Sequence, residues 1–193
     1  MASMTASKTI LIDTAARLFQ TQGYHGTGLN QIIRESGAPK GSLYYYFPDG
    51  KEQLAVAAIE RTVGVVSERI FTGMAVNTDD PVTLLQGFIH HLANSYDEGQ
   101  HQAGLPVAAV ALEMADQSES IREACLKAYT QWHDLLAQQL MQSGLTDETA
   151  KALAATVNAL VEGAFITVRL KGHAEPLRQM AEVIPALVRG IDG

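Results

Sequence analysis

Residues Thr27 to Lys51 read TGLNQIIRESGAPKGSLYYYFPDGK, and this stretch decides the fold. Leu29, Ile32 and Ile33 recur at helical spacing, and the run stops at Gly37. Thr27 stands where an N-capping residue belongs. Pro39 suits the first turn of a second helix, where its missing N–H would be unpaired anyway. That helix ends near Phe47, because Pro48 disfavours helix at the residue before it. Leu43 and Phe47 give it one apolar side. Two short helices meeting at Ser36-Gly37-Ala38 form the pattern of a helix-turn-helix, with Gly37 supplying the backbone angle of the turn.

Upstream, Leu11, Ala15, Leu18 and Phe19 predict a helix that closes at Gly23 and walls the pair on a third side. Residues 1–7 are small and polar and read as a flexible arm. Downstream, Pro48-Asp49-Gly50 is a turn, and Lys51 opens a helix to about Phe71. Pro81 starts another, with Leu84, Leu85, Phe88 and Leu92 on one face. A short apolar helix carries Val107, Val110, Ala111 and Met114. A long one from Ser120 carries Ile121, Leu126, Tyr129, Trp132, Leu136 and Leu140. Thr146 caps Thr149 to Leu170. The last runs from about Pro176 to Arg189 with Leu177, Met180, Ile184 and Leu187 aligned, and Pro185 inside it predicts a kink unless the helix restarts there. No segment has strand period, so the expected fold is all-α.

The chain has 193 residues, 47% hydrophobic and 18% charged, enough apolar material for a packed core. Its one cysteine, Cys125, excludes an internal disulfide and suits a reducing cytoplasm. The longest apolar stretch, 152–168, is broken by Thr156, Asn158 and Glu162, which argues for a buried helix rather than a membrane span. No secretory signal is visible in the first residues, and the expected location is the cytoplasm. The formal charge of −7 is uneven. Residues 1–55 hold Lys8, Arg17, Arg34, Lys40 and Lys51 against Asp13, Glu35, Asp49 and Glu52, a net of +1, which leaves −8 to the rest. Screening beyond about 8 Å at physiological salt lets such an end approach a polyanion.

The second short helix suits that approach. Lys40, Ser42, Tyr44, Tyr45 and Tyr46 stand together with no acid among them. Three adjacent tyrosines, each turned about 100° from the last, cannot all face a core. Tyrosine hydroxyls bond phosphate oxygens, and a helix held this way enters a major groove about 12 Å wide. Gly41 removes a side chain where backbone would near a duplex, and the Lys51 ammonium can reach a phosphate beside a helix start. An aromatic hinge packing two subdomains is the competing reading, and Tyr44 stands open between the two.

Thr149 to Leu170 is apolar on more than one face: Leu153, Val157, Leu160, Ala164 and Val168 on one, Ala155, Ala159 and Ile166 on another. Such a helix must be covered twice. A homodimer through 149–170 and 176–190 is the favoured cover, and a helix surrounded by its own chain is the other. No metal site is assigned: adjacent His90 and His91 face different ways, and His101, which follows Asp97-Glu98 in a predicted loop, leaves only a weak surface site open. No nucleophile–base pattern is legible, so no catalytic residue, metal site or cofactor is assigned.

From Ile10 to about Leu54 the chain resembles the tetracycline-repressor-like (TetR) family of transcriptional regulators. The residues that carry this are Ala15-Ala16-Arg17-Leu18-Phe19, Gly23-Tyr24, Thr27 through Ile32, Gly37-Ala38-Pro39-Lys40-Gly41-Ser42-Leu43-Tyr44-Tyr45-Tyr46-Phe47 and Lys51-Glu52-Gln53-Leu54. The resemblance implies a three-helix DNA-binding domain over 8–54 and a helical effector-binding and dimerisation domain over 55–193. It implies a homodimer on a palindromic operator, repressing nearby genes until a small molecule binds. By position, the operator contacts would be Thr27, Asn30, Lys40, Ser42, Tyr44, Tyr45, Tyr46 and Lys51.

Gly28 and Ile33 depart from the Ser or Thr and the Ala common in the family, and Asp49-Gly50 lengthens the turn before Lys51. That turn, with Gly104-Leu105-Pro106-Val107, resembles the LmrA/YxaF-like branch. By the same analogy Phe88, Leu92, Trp132, Leu136 and Phe165 would line an effector pocket, with His133, Glu162 or Asn158 as polar anchors. Plain core is the default reading for each of them. An apolar, planar effector fits this lining better than a sugar phosphate. Two other functions remain compatible with the residues: a helical binding protein or enzyme whose helix-turn-helix is only structural, and a DNA binder without an effector.

Overall fold

The computed structural model describes residues 2–74, 78–99 and 107–191, with side chains from 6 to 190. Among the described residues there are nine helices and no strand: α1 (Ala2–Gln22), α2 (Leu29–Ser36), α3 (Lys40–Tyr46), α4 (Lys51–Gly73), α5 (Pro81–Asp97), α6 (Ala108–Met114), α7 (Glu119–Gln142), α8 (Asp147–Lys171) and α9 (Glu175–Ile191). His101 and Gly104-Leu105-Pro106 lie outside them. Two compact units result, Met1–Val65 with Leu105–Tyr129, and Val66–Gly104 with Thr130–Gly193.

Leu11, Ala15, Leu18 and Phe19 of α1 are buried in the first unit with Ile32, Leu43, Phe47, Leu54 and Ala55. Leu29 and Ile33 are only half-buried. Val107, Val110 and Met114 around α6, and Ile121, Cys125 and Ala128 of α7, complete its core. Burial pushes the Cys125 thiol up to about 11, so it stays protonated at neutral pH. Of the arm expected over 1–7, residues 2–7 are helical, since α1 begins at Ala2. Nothing in Ala2 to Lys8 breaks a helix, since neither Gly nor Pro occurs there and Ala is the strongest helix former.

In the second unit α5 runs antiparallel to α9. Arg178 donates to Asp97 Oδ2 at 2.7 Å and Asn94 Oδ1 at 3.3 Å, while nearer the other end Gln86 donates to the Ala181 carbonyl at 2.9 Å. The Arg178 hydrogen bond holds the Asp97 carboxyl below its ordinary value. The helix does not restart at Pro185, because α9 is continuous through it. Proline there removes the N–H that would bond the carbonyl four residues back, which is that of Ala181. Gln86 supplies the missing donor from α5.

Gln86→Leu should therefore cost about 1–3 kcal/mol by leaving a buried carbonyl unpaired, a drop of roughly 2–4 °C in melting temperature per kcal/mol at this size. In a Pro185→Ala background, where the helix regains its own N–H, the same change should cost much less. Equal losses in both backgrounds would refute the pairing.

Two apolar registers differ from the sequence expectation. Along α7 the buried line is Ile121, Cys125, Ala128, Trp132, Leu136 and Leu140, and Leu126 lies outside it, 61% exposed. Along α8 Val161 and Phe165 join the buried face of Leu153, Val157 and Val168, whereas Leu160 turns outward with Ile166 and Leu170. Thr146 Oγ1 accepts from the Thr149 N–H at 3.3 Å, the expected cap of α8.

Candidate nucleic-acid interface

The turn between α2 and α3 is built from the backbone up. Gly37 ends α2 in the left-handed region at φ 66°, where a side chain would be strained. Ser36 Oγ accepts from the Ala38 N–H at 3.2 Å and donates to the Ile33 carbonyl at 3.1 Å, which ties the turn to the end of α2. Leu43 is fully buried, and Phe47 closes α3 by donating its N–H to the Leu43 carbonyl at 2.8 Å. With Leu43 and Phe47 turned inward, the rest of α3 faces out. Lys40 is exposed, Tyr44 is 49% exposed and Tyr45 68%. Ser42 and Tyr46 are half-buried, and the Tyr46 ring meets Tyr45 edge-on at 5.0 Å. Tyr46 thus braces Tyr45 from behind. Asn30 is exposed on α2.

Thr27 is a correction twice over. Its side chain is fully buried, and its hydroxyl donates to the Gly23 carbonyl at 2.8 Å. It closes the end of α1, whose last carbonyls lack helical partners, and the N-cap of α2 is Gly28, with no side-chain cap. The hydroxyl is therefore not presented outward as an operator contact.

Lys51 opens α4 half-buried, its Nζ 4.2 Å above the centre of the Tyr24 ring. Tyr24 stacks on Phe19 at 5.6 Å. Partial burial pulls the Lys51 ammonium below its ordinary value, while the Glu113 carboxylate acts in the opposite sense. Next to it, Glu52 accepts from Ser118 Oγ and Ser120 Oγ, both at 2.5 Å, and these two hydrogen bonds hold its carboxyl low. Glu113 accepts from the His25 N–H at 2.7 Å. Sequence reasoning missed these acids because each partner lies more than sixty residues away with no local signal.

The apolar candidates for an effector lining, Phe88 and Leu92 on α5, Trp132 and Leu136 on α7 and Phe165 on α8, are all buried within the second unit. His133 and Glu162 are half-buried. On α8, Asn158 Nδ2 is buried without a hydrogen-bond partner among the described residues. A separate apolar groove of about 360 Å³ runs between α8 and α9, lined by Leu160, Pro176, Met180, Val183, Ile184 and Leu187. By length and composition α8 alone among the described helices could cross a membrane. Its buried face against α9 and Glu162 within the run fit a core helix instead. No cluster of His, Cys, Asp and Glu suited to a metal ion occurs among the described residues.

A helix-turn-helix whose second helix projects lysine and tyrosine, followed by a helical bundle, defines a DNA-binding regulator. Residues 11–58 match the family model for bacterial regulatory proteins of the tetR family, and 81–183 match that for the C-terminal domain of LmrA/YxaF-like transcriptional regulators. The chain belongs to the TetR family, in its LmrA/YxaF-like branch. It is 42% identical over 189 residues to the uncharacterized HTH-type transcriptional regulator YxaF of Bacillus subtilis, covering 98% of each chain. It is 41% identical over 183 residues to the HTH-type regulator LmrA of the same organism, covering 95% of this chain and 97% of that one. A TetR regulator from Chloroflexus aurantiacus shares the fold, with a TM-score of 0.81 at 24% identity over 98% and 97% of the chains. The protein is a transcriptional regulator, not an enzyme, and regulators of this family bind DNA operators as dimers with small-molecule effectors.

Proposed function

We propose that the protein is a cytoplasmic repressor whose homodimer reads a palindromic operator with α3 and leaves it when a small, mainly apolar effector binds the second part of the chain. The observation that carries this is the outer face of α3, where Lys40, Tyr44 and Tyr45 stand exposed without an acid on a chain that is acidic elsewhere. Residues 8–54 do the reading and 55–193 the effector binding and dimerisation. Asn30, Lys40, Ser42, Tyr44, Tyr45, Tyr46 and Lys51 are the operator contacts, and Thr27 serves by shaping the turn. Phe88, Leu92, Trp132, Leu136 and Phe165, with His133 and Glu162, are the candidate effector lining, and no cofactor is assigned. The dimer seats the groove of one α8–α9 pair on that of a second copy. Such a self-complementary patch suits a two-fold axis, and two heads on that axis suit half-sites about 34–36 Å apart. The effector shifts the population between a form whose heads match that spacing and one whose heads do not, by its affinity difference for the two.

Fluorescence anisotropy with duplexes tiling the DNA around the gene, at two salt concentrations, tests the reading. One palindromic segment should bind two subunits or more in a salt-dependent way. Lys51→Gln should weaken binding to every duplex alike and flatten the slope of log K against log salt by about 0.9. Equal weak binding to all duplexes would sink the operator reading, and an unchanged slope would remove Lys51 from the phosphate contacts.

A further inference from the structure

We propose that Glu113, on α6, is an internal counter-charge that competes with operator phosphate for Lys51 and so holds operator affinity below what the reading head would otherwise reach. The inference rests on the reading of Lys51 as a phosphate contact.

Glu113 is fixed in place at the head. Its Oε2 accepts from the His25 N–H at 2.7 Å. Its Oε1 fills the space beside Gly23, where an added Cβ would fall 1.9 Å from it. Gly23 also sits at φ +75°, where a side chain would be strained. The carboxylate lies in the space that this glycine leaves open at the α1–α2 turn. The backbone N–H that holds Glu113 belongs to His25, and the Lys51 ammonium lies on the ring of the preceding residue, Tyr24, so the acid and the cation flank adjacent residues of the α1–α2 turn.

Among the described residues no carboxylate lies within ion-pair distance of Lys51, so Glu113 acts on it through space. Partial burial dominates the Lys51 titration and lowers it, and against that burial the Glu113 carboxylate favours the charged ammonium. A phosphate arriving at Lys51 meets the same field with the opposite sign. Charge interactions at partly desolvated sites are screened less than those in open solvent. Because Glu113 belongs to α6 and Lys51 to α4, a displacement of α6 would alter operator affinity without any change in the base-reading face of α3.

Glu113→Gln isolates the charge, because the amide oxygen still accepts from the His25 N–H. The test measures the operator duplex found by tiling, by anisotropy across a salt series, with wild type, Glu113→Gln, Lys51→Gln and the double variant. Asp116→Asn, an exposed acid three residues further on, reports the effect of charge removal in general. Glu113→Gln should bind about 3–10-fold tighter with a steeper salt slope, Asp116→Asn should change little, and the gain should vanish in the Lys51→Gln background. Unchanged or weaker binding by Glu113→Gln would overturn the inference, and so would a gain that persists without Lys51 or is matched by Asp116→Asn. A wild-type slope in Lys51→Gln alone would instead refute the phosphate contact on which the inference rests.

Discussion

Val183→Asp is expected to leave a folded monomer of 20.8 kDa where the native protein runs at about twice that mass in light scattering or sedimentation. Val183 lines the groove between α8 and α9 yet is 62% exposed in the single chain, so the substitution removes no core contact and creates no cavity. Helix content by circular dichroism should be retained. In the proposed dimer the same position is buried, and the two-fold axis brings two carboxylates to one apolar patch. An uncompensated buried charge costs about 3–5 kcal/mol, a factor of roughly 150 to several thousand in the dissociation constant. A monomer presents one head to one half-site, so operator affinity should fall at least a hundredfold. Retention of the double mass would place the subunit contact elsewhere.

Tyr45→Ala is expected to lower operator affinity by about 5–150-fold, corresponding to the roughly 1–3 kcal/mol of one base contact. Tyr45 is the most exposed aromatic residue described, at 68%, and Tyr46 supports it from behind at 5.0 Å. Alanine is a better helix former than tyrosine, so α3 loses nothing in propensity, and Leu43 and Phe47 keep it anchored. The loss should be uneven across operator variants, largest where the contacted base is native and small where it is already mismatched. A phosphate contact would weaken all sequences alike, as proposed for Lys51. Native affinity in Tyr45→Ala, confirmed with Lys40→Ala, would return α3 to a purely structural role.

Most of the fold was legible in local pattern. The 3.6-residue recurrence of Leu11, Ala15, Leu18 and Phe19, the stop at Gly37, the turn at Pro48-Asp49-Gly50 and the cap at Thr146 each depend on residues within a turn or two of one another. The same holds for the outward lysine and tyrosines of α3, since burial of Leu43 and Phe47 settles which way their neighbours point. Where local pattern gave two nearly equal faces, as with Leu126 on α7 and Leu160 on α8, periodicity could not say which one meets the core. Tertiary packing chose.

The all-α class, the helix-turn-helix and the residues that α3 offers to a partner follow from consecutive residues alone, because short-range backbone chemistry and hydrophobic period are written there. Tertiary packing turns Thr27 inward to the end of α1, lets Gln86 replace the hydrogen bond Pro185 removes, and brings Glu113 and Glu52 to the head. Thr27 had two plausible partners in sequence, a helix start ahead and a helix end behind, and the buried one won. The other pairings join residues far apart in the chain. They exist because packing brings a spare donor to an orphaned carbonyl, or an acid to an unused N–H.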